Sequence, residues 1–178
     1  MVRIEKNFLP AMFFDKLKFM LACESFFWHF NPQTVYNKNF KQDDHFMFTH
    51  ILFTCKEIEL KQKQKQSVWL KDFEPIIYYL SEKIKIKKLL RMKLNLYTNQ
   101  NKVIEHASHT DINTKDQPTP GVTVSIFNFT TCNGGTRIED KKYPSNENEI
   151  LIFNNLNKHS GIVQTDTQIR IVLNIATE

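Results

Sequence analysis

From residue 91 onward the chain falls into short apolar runs separated by turn residues, and this rhythm restricts the fold more than any other feature. Arg91–Tyr97, Val122–Phe129, Glu149–Phe153 and Gln168–Ile175 are rich in Val, Ile, Leu and Phe. Asn99–Asn101, Asn133-Gly134-Gly135, Pro144–Asn146 and Asn154–Asn157 lie between or beside them. β-Branched and aromatic side chains pack well on a pleated surface, whereas Asn, Gly and Pro supply the backbone conformations of turns. Several short strands at this spacing predict a sandwich or barrel.

The first half has a different texture. Phe13, Phe14, Leu17 and Met20 recur at helical spacing behind Pro10, which suits a first helical turn, so Pro10–Leu21 is predicted helical. Phe73, Ile76, Ile77 and Leu80 repeat the pattern and predict a second helix over Val68–Lys83. The aromatic-rich runs Phe26–Phe30 and Phe46–Phe53 read as strands. The class is therefore α+β, mainly β, with helices packed against the barrel. At 178 residues the chain makes one domain, 1–178, with 1–90 as support and 91–178 as the barrel.

No apolar run approaches the roughly 18 residues of a membrane helix. Arg3, Glu5 and Lys6 interrupt any signal-like stretch at the start, so the expectation is a cytoplasmic protein without a membrane partner. Cys23, Cys55 and Cys132 are odd in number and scattered, which predicts reduced thiols and no zinc knuckle. Charge is unevenly placed: up to residue 93 there are 17 Lys and Arg against 10 Asp and Glu, and thereafter 7 against 9. The excess sits in Lys61–Lys65 and Lys83–Lys93. Such tracts can follow phosphates, but they more often form the solvated face of a helix or strand.

His109-Thr110-Asp111 is an H-x-D triplet. On an extended segment, alternation sends both side chains to one face, where imidazole and carboxylate can meet one ion. A second histidine, His159, follows the predicted strand that ends at Phe153. Eleven residues later Arg170 interrupts an otherwise apolar strand, and a charge there needs a partner or a cavity. His106 has no carboxylate at the matching offset and reads as a neighbour of the site, while His29 and His50 read as core or surface residues. Two histidines and one carboxylate leave three metal positions open, the arrangement suited to Fe(II) that must also bind cosubstrate and O₂. Zinc is the alternative ion, but hydrolysis would need a general base that the sequence does not nominate.

The order H-x-D, Gly134-Gly135-Thr136, a strand ending in Phe153, His159 and then Arg170 resembles the Fe(II)/2-oxoglutarate-dependent dioxygenase superfamily. The likeness is closest to prolyl-4-hydroxylase-like enzymes, in particular small oxygenases of bacteriophage genomes. Asn95-Leu96-Tyr97, about a dozen residues before His109, fits it too. The likeness covers roughly 89–176.

The resemblance implies a double-stranded β-helix, a jelly-roll or cupin-like barrel with the metal at its mouth. It implies His109, Asp111 and His159 as ligands, and Arg170 as partner of the distal carboxylate of 2-oxoglutarate, a task suited to a permanently charged bidentate donor. Asn95 and Tyr97 stand where relatives hydrogen-bond the cosubstrate, and Asn174, four residues after Arg170, shares its strand face. The implied cofactors are Fe(II), 2-oxoglutarate and O₂, and the implied reaction couples decarboxylation of 2-oxoglutarate to C–H hydroxylation. A peptidyl, prolyl-type substrate is expected from the likeness. Nucleic acid is the alternative, and a barrel that binds metal or a small molecule without turnover is the rival class.

One stretch departs from the pattern. Relatives often carry Tyr-Leu-Asn before the Gly-Gly pair, whereas this chain reads Ile126-Phe127-Asn128. The missing phenol leaves part of the cosubstrate grip to another residue, for which Tyr97 is the candidate. Gln117–Pro120 and Asp140–Glu147 are expected to be loops flanking the opening, with Arg137 able to reach into it.

Overall fold

A computed structural model describes residues 1–34, 45–56, 58 and 66–178. The Lys61–Lys65 tract lies outside the described residues. The element order is β1 (Arg3–Lys6), α1 (Ala11–Ala22), β2 (His29–Asn31), β3 (Met47–Thr54), α2 (Leu70–Phe73), α3 (Pro75–Ser81), β4 (Leu89–Thr98), β5 (Asn113–Thr114), β6 (Gln117–Pro118), β7 (Thr123–Asn128), β8 (Cys132–Ile138), β9 (Lys141–Ser145), β10 (Glu149–Asn154), β11 (His159–Ile162) and β12 (Ile169–Thr177).

Seven strands form the large antiparallel sheet in the order β1-β10-β7-β12-β4-β3-β2. The small sheet runs β11-β8-β9. It gains a further line from residues 105–109, which pair with β11 through Glu105–Ile162 and His109–His159. The two sheets face each other as the expected jelly roll, a double-stranded β-helix.

Alternation along the central strands decides what each face does. On β12, Ile171, Leu173 and Ile175 turn outward into a core shared with Phe14, Leu17 and Leu21 of α1 and with Phe73, Ile76 and Leu80. Fully burying such side chains contributes about 1.5–3 kcal/mol each, which fixes the helices on the outer face of the sheet. The opposite face looks into the barrel, where Val124, Ile126, Leu151, Phe153 and Val172 meet Ile138, Tyr143 and Val163 from the small-sheet side.

Helix α1 matches the sequence expectation. The single helix predicted over Val68–Lys83 is instead two, α2 and α3, because Pro75 has no N–H to continue the first and serves as the opening residue of the second. The Asn133-Gly134-Gly135 turn is also corrected: these residues lie inside β8. A Cβ on Gly135 would collide with the Tyr143 carbonyl oxygen of β9, and one on Gly134 would lie 2.8 Å from the Ile162 carbonyl oxygen beside β11. Both glycines are there for close strand approach. The two predicted loops contain β6, which pairs with β5 just before it, and the strand β9. Strand β1 escapes sequence reading because it is a four-residue charged edge strand.

Candidate metal centre

β11 presents His159, and the paired segment presents His109 opposite it. Their backbones exchange both hydrogen bonds at 2.9 Å, bringing the ring centroids within 4.5 Å. The chain then bends, and Asn155 secures the bend. Its Oδ1 accepts from the N–H groups of Asp111 and Ile112 at 3.1 Å each, and its Nδ2 donates to the carbonyls of Ile112 and Thr119. Asp111 is thereby aimed back at the histidines. Asp111 Oδ2 lies 3.4 Å from His159 Nε2, and Asp111 Oδ1 lies 3.9 Å from His109 Nε2. One donor atom from each of the three residues falls within 4.8 Å of the other two.

The protonation states suit a cation. Burial first, then the neighbouring His159, pushes the His109 imidazole down to about 4, so it is neutral at pH 7. Burial alone would raise the Asp111 carboxyl, but Arg91, His159 and His109 together outweigh it and hold the group well below the usual carboxylate range. His159 Nδ1 is buried without a hydrogen-bond partner. A neutral imidazole, an ionised carboxylate and a second imidazole whose Nε2 faces that carboxylate form a donor set that fits Fe(II).

The pocket behind this cluster is lined by the inward face of β4, with Lys93, Asn95 and Tyr97, and of β12, with Arg170, Val172 and Asn174. The strand register places Tyr97 beside Arg170, Asn95 beside Val172 and Lys93 beside Asn174. Arg170 is 1% exposed. It donates to Thr136 Oγ1 at 3.1 Å, its guanidinium lies 5.3 Å from the Tyr97 ring centroid, and its Nε has no partner. No carboxylate among the described residues pairs with it. A buried guanidinium left in that condition is costly unless an anion enters.

The sequence-predicted residues therefore converge on one cavity: His109, Asp111, His159, Arg170, Asn95, Tyr97 and Asn174 all line it. Asn174 makes a contact that sequence reading did not foresee. Its Nδ2 donates to Asp111 Oδ2 at 2.7 Å, and its Oδ1 accepts from Arg91 at 3.1 Å. Arg137 does not reach the opening. It is held by Glu105 through contacts of 2.6 and 3.0 Å and is absent from the pocket lining. His106 is the expected neighbour: it lines the pocket, stacks on Tyr97 and shares a 3.0 Å contact with His45. His50 is fully buried, bonded to Ser67 and to the Phe27 carbonyl, and His29 is exposed.

Four contributors were missed. Arg91 pairs with Asp111 at 2.6 Å, and Lys93 lines the pocket, yet both belong to a tract that reads as a solvated charge run. Lys83, Lys85 and Lys87 are indeed exposed. The signal was present in the alternation Arg91-x-Lys93-x-Asn95-x-Tyr97, which puts all four on one strand face. Thr136 was legible only as part of Gly134-Gly135-Thr136 and not as a partner of Arg170, and Asn155 carried no signal of its own because its role depends on distant backbone.

No family model and no curated protein matches the chain by sequence. Solved structures do match in fold. A 2OG-Fe(II) oxygenase family oxidoreductase from Burkholderia pseudomallei aligns over 99% of this chain and 85% of its own, with a TM-score of 0.66 and 8% identity. The fold is that of the 2OG-Fe(II) oxygenases. A prolyl-4-hydroxylase from Pseudomonas putida covers 99% and 92% at TM-score 0.60 and 11% identity. The viral collagen prolyl hydroxylase of Paramecium bursaria Chlorella virus-1, in complex with 2OG, covers 98% and 94% at 0.59 and 12%. In all three the alignment runs through nearly the whole of this chain, so α1–α3 and β1–β3 belong to the oxygenase fold along with the barrel.

Proposed function

We propose that the protein is an Fe(II)- and 2-oxoglutarate-dependent dioxygenase that hydroxylates a C–H bond. The observation that carries this reading is a His109–Asp111–His159 cluster sharing its pocket with Arg170, a buried cation with no anionic partner among the described residues. Fe(II) and 2-oxoglutarate, when bound, supply O₂ activation coupled to decarboxylation of the cosubstrate to succinate and CO₂.

The chain's own residues bind and orient. His109, Asp111 and His159 would hold the metal from one side, leaving its other side to ligands. Arg170 would pair with the distal carboxylate of the cosubstrate, with Thr136 and Tyr97 steadying the guanidinium. Burial pushes the Tyr97 phenol up, so it stays protonated and can donate a hydrogen bond to the cosubstrate. Val172 and Ile126 line the same pocket and limit the access of water. No side chain is required as a general acid or base.

A peptidyl, prolyl-type substrate is the reading supported by the neighbours described as prolyl hydroxylases. We place the protein in the cytoplasm, where its three free cysteines stay reduced. Purified protein given Fe(II), 2-oxoglutarate and O₂ should form succinate, slowly without substrate and faster with it. Absence of succinate from protein shown to bind both metal and 2-oxoglutarate would overturn the proposal.

A further inference from the structure

With a divalent metal bound, the pocket would hold more positive charge than the proposed cosubstrate can neutralise. Arg91 is matched by Asp111, and Arg170 would be matched by one carboxylate of 2-oxoglutarate. Lys93 remains, lining the pocket with no hydrogen bond or ion pair among the described residues. A metal ion bound by Asp111 would add further positive charge. The register separates the two cations: Arg170 lies beside Tyr97, whereas Lys93 lies four residues away beside Asn174, the residue that holds the ligand Asp111. Four residues span about 13 Å along a strand. Lys93 is therefore placed at the metal's level, away from the cosubstrate anchor.

Asn95, on the rung between them, adds a second requirement. Its side-chain Oδ1 is buried and has no donor among the described residues. 2-Oxoglutarate offers only acceptors at neutral pH, so it cannot satisfy Asn95 Oδ1, and with one carboxylate at Arg170 and the other at the metal it leaves the surroundings of Lys93 net positive. The unmet acceptor and the surplus positive charge point to another molecule.

We propose that Lys93 and Asn95 form a subsite for a primary substrate carrying a carboxylate next to an N–H or O–H donor, the chemistry of a free amino or imino acid. The inference rests on the oxygenase reading, and it puts a free acid in place of the peptidyl substrate that the neighbours' descriptions suggest. A carboxylate suits the site better than a phosphate, because a single ammonium supplies one point charge and the neighbouring Arg91 guanidinium is already engaged by Asp111 and Asn174.

The test uses the full chain loaded with Mn(II) and 2-oxoglutarate without O₂. The free α-amino acids, proline included, their carboxamides and their desamino analogues are titrated by calorimetry. At least one acid should bind about 10- to 100-fold tighter than its amide, the worth of one charge-assisted hydrogen bond. The same acid should bind tighter than its desamino analogue. The preference over the amide should vanish in Lys93→Met and persist in Lys93→Arg. If no acid outbinds its amide, or if the preference survives Lys93→Met, the proposal is overturned. It also falls if Lys93→Met weakens 2-oxoglutarate as much as Arg170→Ala does, which would make Lys93 a cosubstrate anchor. Failure of the oxygenase reading shows separately, as wild-type protein that binds Mn(II) but not 2-oxoglutarate. The acid–amide comparison can still be made on that Mn(II) form.

Discussion

Arg91 Nη2 lies 2.6 Å from Asp111 Oδ1 inside the barrel, while Asn174 holds the other carboxylate oxygen at 2.7 Å. The aspartate is thus pre-aimed before any cation arrives, and the guanidinium stands in for part of the missing charge. Replacing Arg91 by Met would leave a buried carboxylate without its main counter-charge. The metal-free variant should lose about 3–5 kcal/mol of stability. Divalent metal should restore part of that loss, since the ion supplies the charge that Arg91 supplied. Thermal denaturation with and without Mn(II) reads both effects, and a metal-free variant as stable as wild type would remove Arg91 from this role.

The ligand assignment is tested by binding as well as turnover. His109→Ala, Asp111→Ala and His159→Ala should each weaken Mn(II) binding by more than the roughly 10- to 100-fold seen when only a ligand's supporting partner is lost. Each should also abolish succinate formation. Equilibrium dialysis measures the first, and retention of tight binding in any one variant would dismiss that residue as a ligand.

For Arg170, the expected loss concerns the cosubstrate. Arg170→Ala removes a charge-assisted partner and should raise the 2-oxoglutarate concentration for half-saturation about 10- to 100-fold. Metal binding should stay near wild type because no ligand contacts Arg170 directly. An unchanged requirement would move the anchor elsewhere.

Gly135 supplies a test of the barrel itself. Gly135→Ala places a methyl group against the Tyr143 carbonyl of the neighbouring strand. Backbone on backbone cannot yield as a flexible side chain can, so a loss of about 2 kcal/mol or more is expected from denaturant melts. Gly121, whose added Cβ would meet nothing within 4 Å but whose φ is +75°, should respond through backbone strain alone.

Acid should destabilise the metal-free protein in a defined window. The His109 imidazole falls from 6.5 to about 4 on folding, and burial also lowers that of His50. Between those values the unfolded chain binds more protons than the native one, so stability rises with pH from about 4 to 6.5 and then levels off. His109 alone contributes up to about 3 kcal/mol across that range. Stability profiles of wild type and His109→Gln compare directly, and equal slopes below pH 6.5 would contradict the assignment.

The C-terminal strands and the site were legible for one reason. β4, β7, β10 and β12 carry strong β-formers bounded by turn residues, and the candidate metal cluster uses residue types with few other reasons to occur in that order. His109, Asp111, His159 and Arg170 could therefore be named before their positions were known. Asn95 and Tyr97 came from the resemblance to the oxygenases, and Asn174 from strand alternation. Where local sequence misled, a neighbour in space had overridden it. Gly134 and Gly135 look like a turn but are demanded by strands on either side, and Pro75 divides a helix whose apolar spacing continues across it.

The sequence by itself determined the strand periodicity, the helix α1 and the inventory of metal-binding groups, because each depends on residues close together in the chain. Only the tertiary structure decided that Arg91 and Lys93 leave a basic tract to enter the barrel, that Asn174 and Arg91 share Asp111, and that Asn155 fixes its bend. These depend on the register between β4 and β12 and on contacts across 20 to 83 positions of sequence. Such register is set by burying both faces of the sheet at once, a condition that no short segment carries alone.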